Sequence, residues 1–357
     1  MPKTIVLTGG GTAGHVTPNL ALIPLLMERG WQVHYIGSTG GMERGLVENL
    51  PGVTYHGISS GKLRRYLDLK NISDPFRVMR GTAQAVSLFR KLKPAVVFSK
   101  GGFVSVPVAY AARLTGTPLV LHESDLTPGL ANRLCIPAAR RICTTFPETA
   151  EHLGPKARHT GTPIRRALFE GDAGRGLGLC GFAQPGMPAL LMMGGSQGAS
   201  SINAALRAIL PKLSQSFNVI HICGKGNRDE SLVGHGSYAQ FEYVGSELPD
   251  LLAAAGVILS RAGANSIFEF LALKKPMLLI PLPLSASRGD QIDNAKSFQK
   301  QGIAHVLYQE DMTEDSLYDA ILNTWAAREE LKAQMAKRAG LDATLAVLSE
   351  IEMAAKR

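Results

Sequence analysis

Two six-residue segments share one design: Gly10-Gly11-Thr12-Ala13-Gly14-His15 and, 184 positions later, Gly194-Gly195-Ser196-Gln197-Gly198-Ala199. Each follows a short apolar run and opens a helix-like stretch, and the register continues past the glycines, with Asn19 matching Asn203 and Ala21 matching Ala205. A strand that enters a glycine turn at a helix N-terminus presents backbone N–H groups and the positive end of the helix dipole, a setting that suits phosphate. A third glycine turn, Gly101-Gly102, follows another strand-like run. In the second half, Arg261-Ala262-Gly263-Ala264-Asn265-Ser266-Ile267-Phe268-Glu269 also leaves a strand and begins a helix. A carboxylate at Glu269 can accept a pair of hydrogen bonds from two vicinal hydroxyls; a capping or surface glutamate is the alternative. Gln291 falls in the first turn of a helix begun by Asp290, where an amide that both donates and accepts suits sugar hydroxyls; a plain helix start is the alternative there.

Gly9 to Gly14 also spells GxGxxG, the fingerprint of dinucleotide-binding folds. That fingerprint wants an acid at the end of the second strand to hold a ribose. Here the second strand ends Ile36-Gly37-Ser38-Thr39, and the nearest acid, Glu43, lies beyond it, so a nicotinamide cofactor is not expected. No Lys-Ser or Lys-Thr closes either glycine loop, which removes a Walker-type reading.

The elements that must position these residues alternate along the chain. Strand-like runs at 4–9, 32–36, 95–98 and 118–122, then at 190–193, 218–222, 256–260 and 277–280, are separated by helical stretches. This βαβα order predicts doubly wound parallel sheets, whose ligands bind outside the carboxyl ends of the strands. The repeated glycine loop makes that two Rossmann-like α/β halves facing across a cleft. Residues 1–163 are expected to form the first domain and 164–340 the second. The last helical stretch, 341–357, has room to pack back on the first.

A chain of 357 residues with 45% hydrophobic content is ample for two cores. Four cysteines without CxxC or zinc-ligand spacing predict reduced thiols and no bound metal. Met1-Pro2-Lys3 runs straight into a strand-like segment and no 18-residue apolar run occurs, so neither a leader peptide nor a membrane span is expected. The net charge of +9 is concentrated: residues 51–100 hold ten Lys or Arg against two Asp, whereas 151–357 balance 21 against 21. Lys62, Arg64, Arg65, Lys70, Arg77 and Arg80 are interleaved with Leu63, Tyr66, Leu67, Leu69, Phe76 and Met79. Basic heads among apolar neighbours predict a peripheral anchor on anionic lipid, with ordinary amphipathic helices as the alternative. Nucleic acid is not expected, since no recognisable binding motif accompanies the charge.

Taken in order, GGTAGHVTPN (10–19), KGGFVSVP (100–107), HESD (122–125), GTPIR (161–165), GGSQGA (194–199), RAGANSIFE (261–269) and DQIDNA (290–295) resemble the MurG family of UDP-N-acetylglucosamine transferases, in glycosyltransferase family 28, over nearly the whole chain. The resemblance implies the GT-B architecture and an inverting, metal-free transfer of GlcNAc from UDP-GlcNAc to the C4 hydroxyl of the muramoyl sugar of lipid I. The product would be lipid II, for peptidoglycan synthesis and hence cell shape and division. By position, Thr12, Ala13 and Gly14 would lie at the donor–acceptor cleft, and Arg165 and Ser196 would hold the UDP diphosphate. Val244 would meet uracil through its backbone. Ala264, Asn265, Ser266, Ile267, Phe268 and Glu269 would form the donor pocket, with Glu269 on the ribose and Gln291 on the sugar. Three positions depart from the family pattern: Ala13 replaces a glycine, Asp125 an asparagine beside the sugar, and Phe103 a tyrosine. His15, with a reference pKa near 6.5, is the first choice of catalytic base, with Asp125 and Glu123 in reserve; orienting the loop or binding acceptor phosphate is the alternative for His15. Gly101 and Gly102 would cradle the acceptor diphosphate. No cofactor is implied. The expected place is the cytoplasmic face of the cell membrane, on anionic inner-membrane lipid, with cell-wall synthesis proteins as candidate partners. Another lipid-directed UDP-sugar transferase, a UDP-GlcNAc epimerase and a non-enzymatic nucleotide-sugar sensor are the competing functions.

Overall fold

Short runs of Val, Ile, Leu and Met that are buried on both faces cannot sit in a half-wetted antiparallel sheet; they require helices above and below. The computed structural model, which describes residues 3–61, 70–194, 199–338 and 342–356 (of 70–73 the backbone only), has two such sheets. The chain divides into two compact units, one of Met1–Arg165 with Leu341–Arg357, the other of Arg166–Gly340.

The first unit carries β1 (Lys3–Thr8), β2 (Trp31–Ser38), β3 (Val53–Ile58), β4 (Val96–Ser99), β5 (Leu119–Glu123), β6 (Arg141–Thr144) and β7 (Ala157–His159). They form one parallel sheet in the order β3-β2-β1-β4-β5-β6-β7. The order reverses between β1 and β4, where doubly wound sheets bind ligands. Alternate residues feed two cores: Ile5 and Leu7 pack with the first helix, while Val6 packs with Ala85 and Phe89 from the helix Lys70–Leu92 on the other face.

The helix Ala343–Ala355 completes this unit. Asp342 caps it, accepting from the N–H groups of Thr344 and Leu345 at 3.0 and 3.1 Å. Val347, Leu348, Ile351 and Ala354 are fully buried in the core that holds Leu22 and Leu26. The exposed Arg29–Glu352 pair at 2.9 Å adds about 0–1 kcal/mol. Each of the larger buried side chains is worth about 1.5–3 kcal/mol, so apolar burial and not charge docks the helix.

The second unit carries β8 (Ala189–Met193), β9 (Asn218–Ile222), β10 (Tyr238–Phe241), β11 (Val257–Ser260), β12 (Met277–Leu279) and β13 (His305–Val306), all parallel, in the order β10-β9-β8-β11-β12-β13. The same switch recurs between β8 and β11. The repeat seen in the sequence has one function in both units. Asn19 donates to the carbonyl of Thr8 at the end of β1 and to Tyr35 on β2, both at 3.2 Å. Asn203 donates to the carbonyl of Cys223 beyond β9 at 2.8 Å. Each asparagine thus ties the helix after the glycine loop to the strand ends.

β3, β6, β7, β10 and β13 go beyond the runs expected from the sequence. β3 reads Val-Thr-Tyr-His-Gly-Ile and is half-wetted, and β7 and β13 have only three and two residues, too short for a local hydrophobic signal. Among the described residues, no helix is long and apolar enough to cross a membrane.

Candidate functional site

In the first unit, β1 runs into Gly9–Thr12, then into a tight turn of helix at Ala13–His15, and only afterwards into the helix Thr17–Glu28. The loop is therefore not the plain helix start that the sequence suggests. Its Gly11 N–H is already taken: Glu43 Oε2 accepts it at 3.2 Å. Glu43 is fully buried and also accepts from the Ser38 N–H at 2.8 Å and from the Ser38 hydroxyl. Burial raises the Glu43 pKa, but these donors outweigh burial and hold the carboxyl below its usual range. The acid that sequence reasoning placed beyond the ribose position thus folds back to brace the glycine loop. A Cβ at Gly10 would displace the Glu43 carboxylate from this position.

His15 is half-buried, with Nδ1 3.1 Å from the Gly10 carbonyl oxygen and 3.1 Å from the Thr12 hydroxyl. A carbonyl can only accept, so Nδ1 carries a hydrogen, and in the neutral ring the lone pair is on Nε2. The ring edge faces the Gly101-Gly102 turn: a Cβ built on Gly101 would lie 3.4 Å from His15 Cδ2. Gly102, at φ +82°, lies so close to the first loop that a Cβ would collide with the Gly10 carbonyl oxygen. The folded chain therefore brings His15, Thr12, Ala13, Gly14, Gly101 and Gly102 together at the β1/β4 switch.

Behind them is a polar network. Lys100 is buried, its Nζ 3.0 Å from His122 Nδ1 and bonded to the Ser124 hydroxyl. Burial lowers the pKa of Lys100 and, with the Lys100 charge, that of His122. His122 Nε2 lies 2.8 Å from the Gly161 carbonyl oxygen, so Nε2 bears the hydrogen and Nδ1 accepts from the lysine. Glu123 accepts from Asp125 N at 3.0 Å, Gly129 N at 3.2 Å and Asn132 Nδ2 at 2.8 Å. A buried carboxylate with three donors organises the loop after β5. Glu123 is thus an organiser of that loop, and Asp125 is half-exposed on it. Burial, and then the Asp125 charge, raise the Glu123 pKa. Arg165 closes this unit and is half-buried.

In the second unit, Ser196 lies outside the described residues. The helix Ala264–Ala272 starts at Gly263, which supplies no side-chain cap, right after β11. Helical spacing divides the expected pocket residues. Ala264 and Ile267 are in the core, and the Ile267 N–H donates to the Gly263 carbonyl at 3.1 Å, whereas Asn265, Ser266, Phe268 and Glu269 are half-exposed. Glu269 is the sixth residue of the helix, more than a turn from its N-terminus. Gln291 is held by the Leu282 N–H, which donates to its Oε1 at 3.1 Å. Val244 sits in the loop after β10.

The sequence marks Arg261 only as the first residue of a motif and gives no sign of its bracing role. Its buried guanidinium donates to the carbonyls of Ile280 and Pro281 (both 3.2 Å), to Ser201 Oγ at 3.1 Å and to Gln309 Oε1 at 2.7 Å. One side chain thereby fixes the ends of β11 and β12 against the helix that follows the second glycine loop. Asn294 adds a bond to the Ala262 carbonyl at 3.2 Å.

The basic patch is divided by the structure. Lys62, Arg64 and Arg65 lie outside the described residues, as does the side chain of Lys70. On the helix Lys70–Leu92, Phe76 and Met79 are 70% and 67% exposed, while Phe89 is buried. Met79 borders a groove of about 810 Å³ with Val86, Tyr110 and Leu114, flanked by Arg90 and Arg113. Arg77 and Arg80 face the other way, over the ends of β2 and β3.

Two doubly wound parallel sheets in one chain, the first with a glycine turn after its first strand, are the plan of the GT-B fold. Residues 5–144 match the glycosyltransferase family 28 N-terminal domain, and residues 189–349 match the family 28 C-terminal domain. The chain is 55% identical over 357 residues, all of both chains, to the UDP-N-acetylglucosamine–N-acetylmuramyl-(pentapeptide) pyrophosphoryl-undecaprenol N-acetylglucosamine transferase of Geobacillus thermodenitrificans. It is 57% identical over 320 residues to the protein of the same name in Lachnoclostridium phytofermentans, covering 89% of this chain and 90% of that one. The crystal structure of Acinetobacter baumannii MurG superposes with a TM-score of 0.76 at 25% identity, covering 99% of this chain and 100% of that one. The chain belongs to glycosyltransferase family 28.

Proposed function

We propose that the protein transfers N-acetylglucosamine from UDP-GlcNAc to the C4 hydroxyl of MurNAc in undecaprenyl-diphospho-MurNAc-pentapeptide (lipid I), giving lipid II. The observation that carries this reading is the 55% identity over all 357 residues to a relative named for that transfer. The geometry supports a division of labour: the His15 edge of the first unit takes the acceptor, and the β8/β11 edge of the second takes the donor.

In the proposed reaction His15 Nε2 removes the proton from the acceptor C4 hydroxyl as its oxygen attacks C1 of the donor sugar. The bond from C1 to the phosphate oxygen breaks on the opposite face and UDP departs, which inverts the anomeric centre. The Gly10 carbonyl supports this role, because the bond it accepts from Nδ1 sets the tautomer with the lone pair on Nε2. Gly101 and Gly102 contribute backbone to the acceptor diphosphate. Ser196, Arg165 and the N-terminus of the helix Ala264–Ala272 stabilise the departing UDP diphosphate, a term that often dominates catalysis. Glu269 accepts from the ribose hydroxyls, Gln291 donates to the sugar, and Val244 meets uracil.

The lipid-linked acceptor calls for a peripheral position on the cytoplasmic face of the membrane. Exposed Phe76 and Met79, with Leu114 at 72%, beside Arg90 and Arg113, support contact with anionic lipid. The test of function is incubation with labelled UDP-GlcNAc and a short-chain lipid I analogue, reading the disaccharide product and released UDP. UDP release without disaccharide, or epimerised UDP-sugar as the product, would refute the assignment.

A further inference from the structure

The loops that leave β2 and β3 enclose a polar cavity of about 410 Å³ beneath the helix Lys70–Leu92. Among the described residues, its charged lining is two guanidiniums, Arg77 and Arg80, one turn apart on the helix face that also carries Gln84. Facing them are the Ser38 and Thr39 loop, the glycine backbone of 40–41, and Ser59.

The walls are preset by packing. Gln84 Oε1 accepts the Ser59 N–H at 2.8 Å. Gly81 lets the helix lie directly on the same loop, since a Cβ there would collide with the Ser59 carbonyl oxygen. Thr39 donates to the Ile58 carbonyl through both its N–H and its hydroxyl at 3.2 Å, joining the two loops.

Among the described residues, the neighbouring acids leave the arginines largely uncompensated. Asp74 reaches Arg77 only at 4.0 Å, the outer limit of an ion pair. Glu43 is committed to Ser38 and Gly11. Two guanidiniums with no carboxylate among the described lining residues, above hydroxyls and glycine backbone, match the donor fork that oxyanions take. Because Glu43 links Ser38 to Gly11, the cavity adjoins the loop that carries His15.

We infer that this cavity is an anion subsite for the acceptor, binding an oxyanion that lies beyond the reacting sugar, either a carboxylate of the peptide or the diphosphate. The inference rests on the acceptor named under the proposed function. It divides one basic helix into two jobs, with Arg77 and Arg80 serving substrate and the Met79 groove face serving lipid.

The test is calorimetric binding of three soluble, vesicle-free probes to the full chain and to the R77Q/R80Q double variant. The probes are short-chain prenyl-diphospho-MurNAc-pentapeptide, the same compound with its peptide carboxylates amidated, and MurNAc-pentapeptide without the diphosphate. The double variant should bind the first probe about ten- to a hundredfold more weakly, the weight of a charge-assisted hydrogen bond. A thermal unfolding curve that matches wild type shows that the variant, and with it the first unit, is folded. Loss of the difference on amidation assigns the peptide carboxylate; a difference that survives amidation but vanishes without the diphosphate assigns the phosphates. Equal affinity of wild type and variant for all three probes overturns the inference, as does absence of binding by folded wild type. Failure of the acceptor reading is seen separately, as wild type that binds UDP-GlcNAc but forms no disaccharide.

Discussion

Replacing Glu43 tests whether the buried carboxylate, and not the glycine pattern alone, shapes the acceptor edge. Its three acceptor contacts are to Ser38 N at 2.8 Å, the Ser38 hydroxyl, and Gly11 N at 3.2 Å. Glu43→Gln keeps the size but turns one oxygen into an NH2 that must face an N–H or hydroxyl donor. One charge-assisted bond is lost and one buried donor is left unpaired, for a cost of about 2–4 kcal/mol. For a unit of this size that is a drop of about 5–15 °C in its melting temperature. Glu43→Ala leaves more donors unpaired and should cost at least as much. Because the carboxylate pKa is depressed in the fold, the stability it provides is present above its ordinary value of 4.5 and is lost as pH falls through the lowered value. The gap between wild type and Glu43→Gln should therefore close in acid. Below the melting transition, the loosened Gly11 loop should raise the acceptor KM and lower kcat while leaving the UDP-GlcNAc KM alone. Thermal denaturation from pH 7 to pH 3 with two-substrate kinetics measures all of this. A Glu43→Ala protein that melts with wild type and has the same acceptor KM would refute the reasoning.

Glu269→Ala should raise the UDP-GlcNAc KM about ten- to a hundredfold, the loss of a charged acceptor for ribose hydroxyls worth roughly 1.5–3 kcal/mol, read by initial rates; an unchanged KM removes that helix from the donor pocket. His15→Ala should lower kcat about 10²–10⁴-fold with UDP binding intact and with activity indifferent to EDTA in both proteins; a mild loss with a raised acceptor KM would make the imidazole an orienting group. Changing Lys62, Arg64 and Arg65 together to Glu should weaken sedimentation with anionic vesicles in a salt-sensitive way and spare turnover of a detergent-soluble acceptor, whereas equal sedimentation at low salt counts against the lipid contact. Burial, and then Arg207, push the His221 pKa down to about 3, so the unfolded chain binds the extra proton and the second unit loses stability as pH falls from 6.5 towards 3. The loss should be roughly 1.4 kcal/mol per pH unit, and smaller in His221→Gln, by urea denaturation at pH 7 and pH 4.5.

The two-sheet α/β plan was legible in the sequence because short apolar runs separated by helix-length segments can be connected only as parallel strands. The repeat that aligns Gly10 with Gly194 and Asn19 with Asn203 also appears there, since identical local geometry asks for identical residue types. The placement of Gln291 at a helix start was legible for the same reason. Partners across the sheet were not. Glu43 reads as a surface acid of the segment Met42–Val47 until folding brings it to Gly11, 32 residues away. Arg261 reads as the start of a ligand motif, yet its guanidinium is spent on Gln309, 48 residues on, and on two carbonyls past β12. Arg77 and Arg80 look equivalent to the other basic residues around them, and only the packing of Gly81 on Ser59 decides that they turn towards a cavity and not towards the Met79 groove. Local periodicity records whether a side chain is buried; which distant backbone group it must satisfy once there depends on strand order and loop contact, quantities that exist only after the sheet has closed.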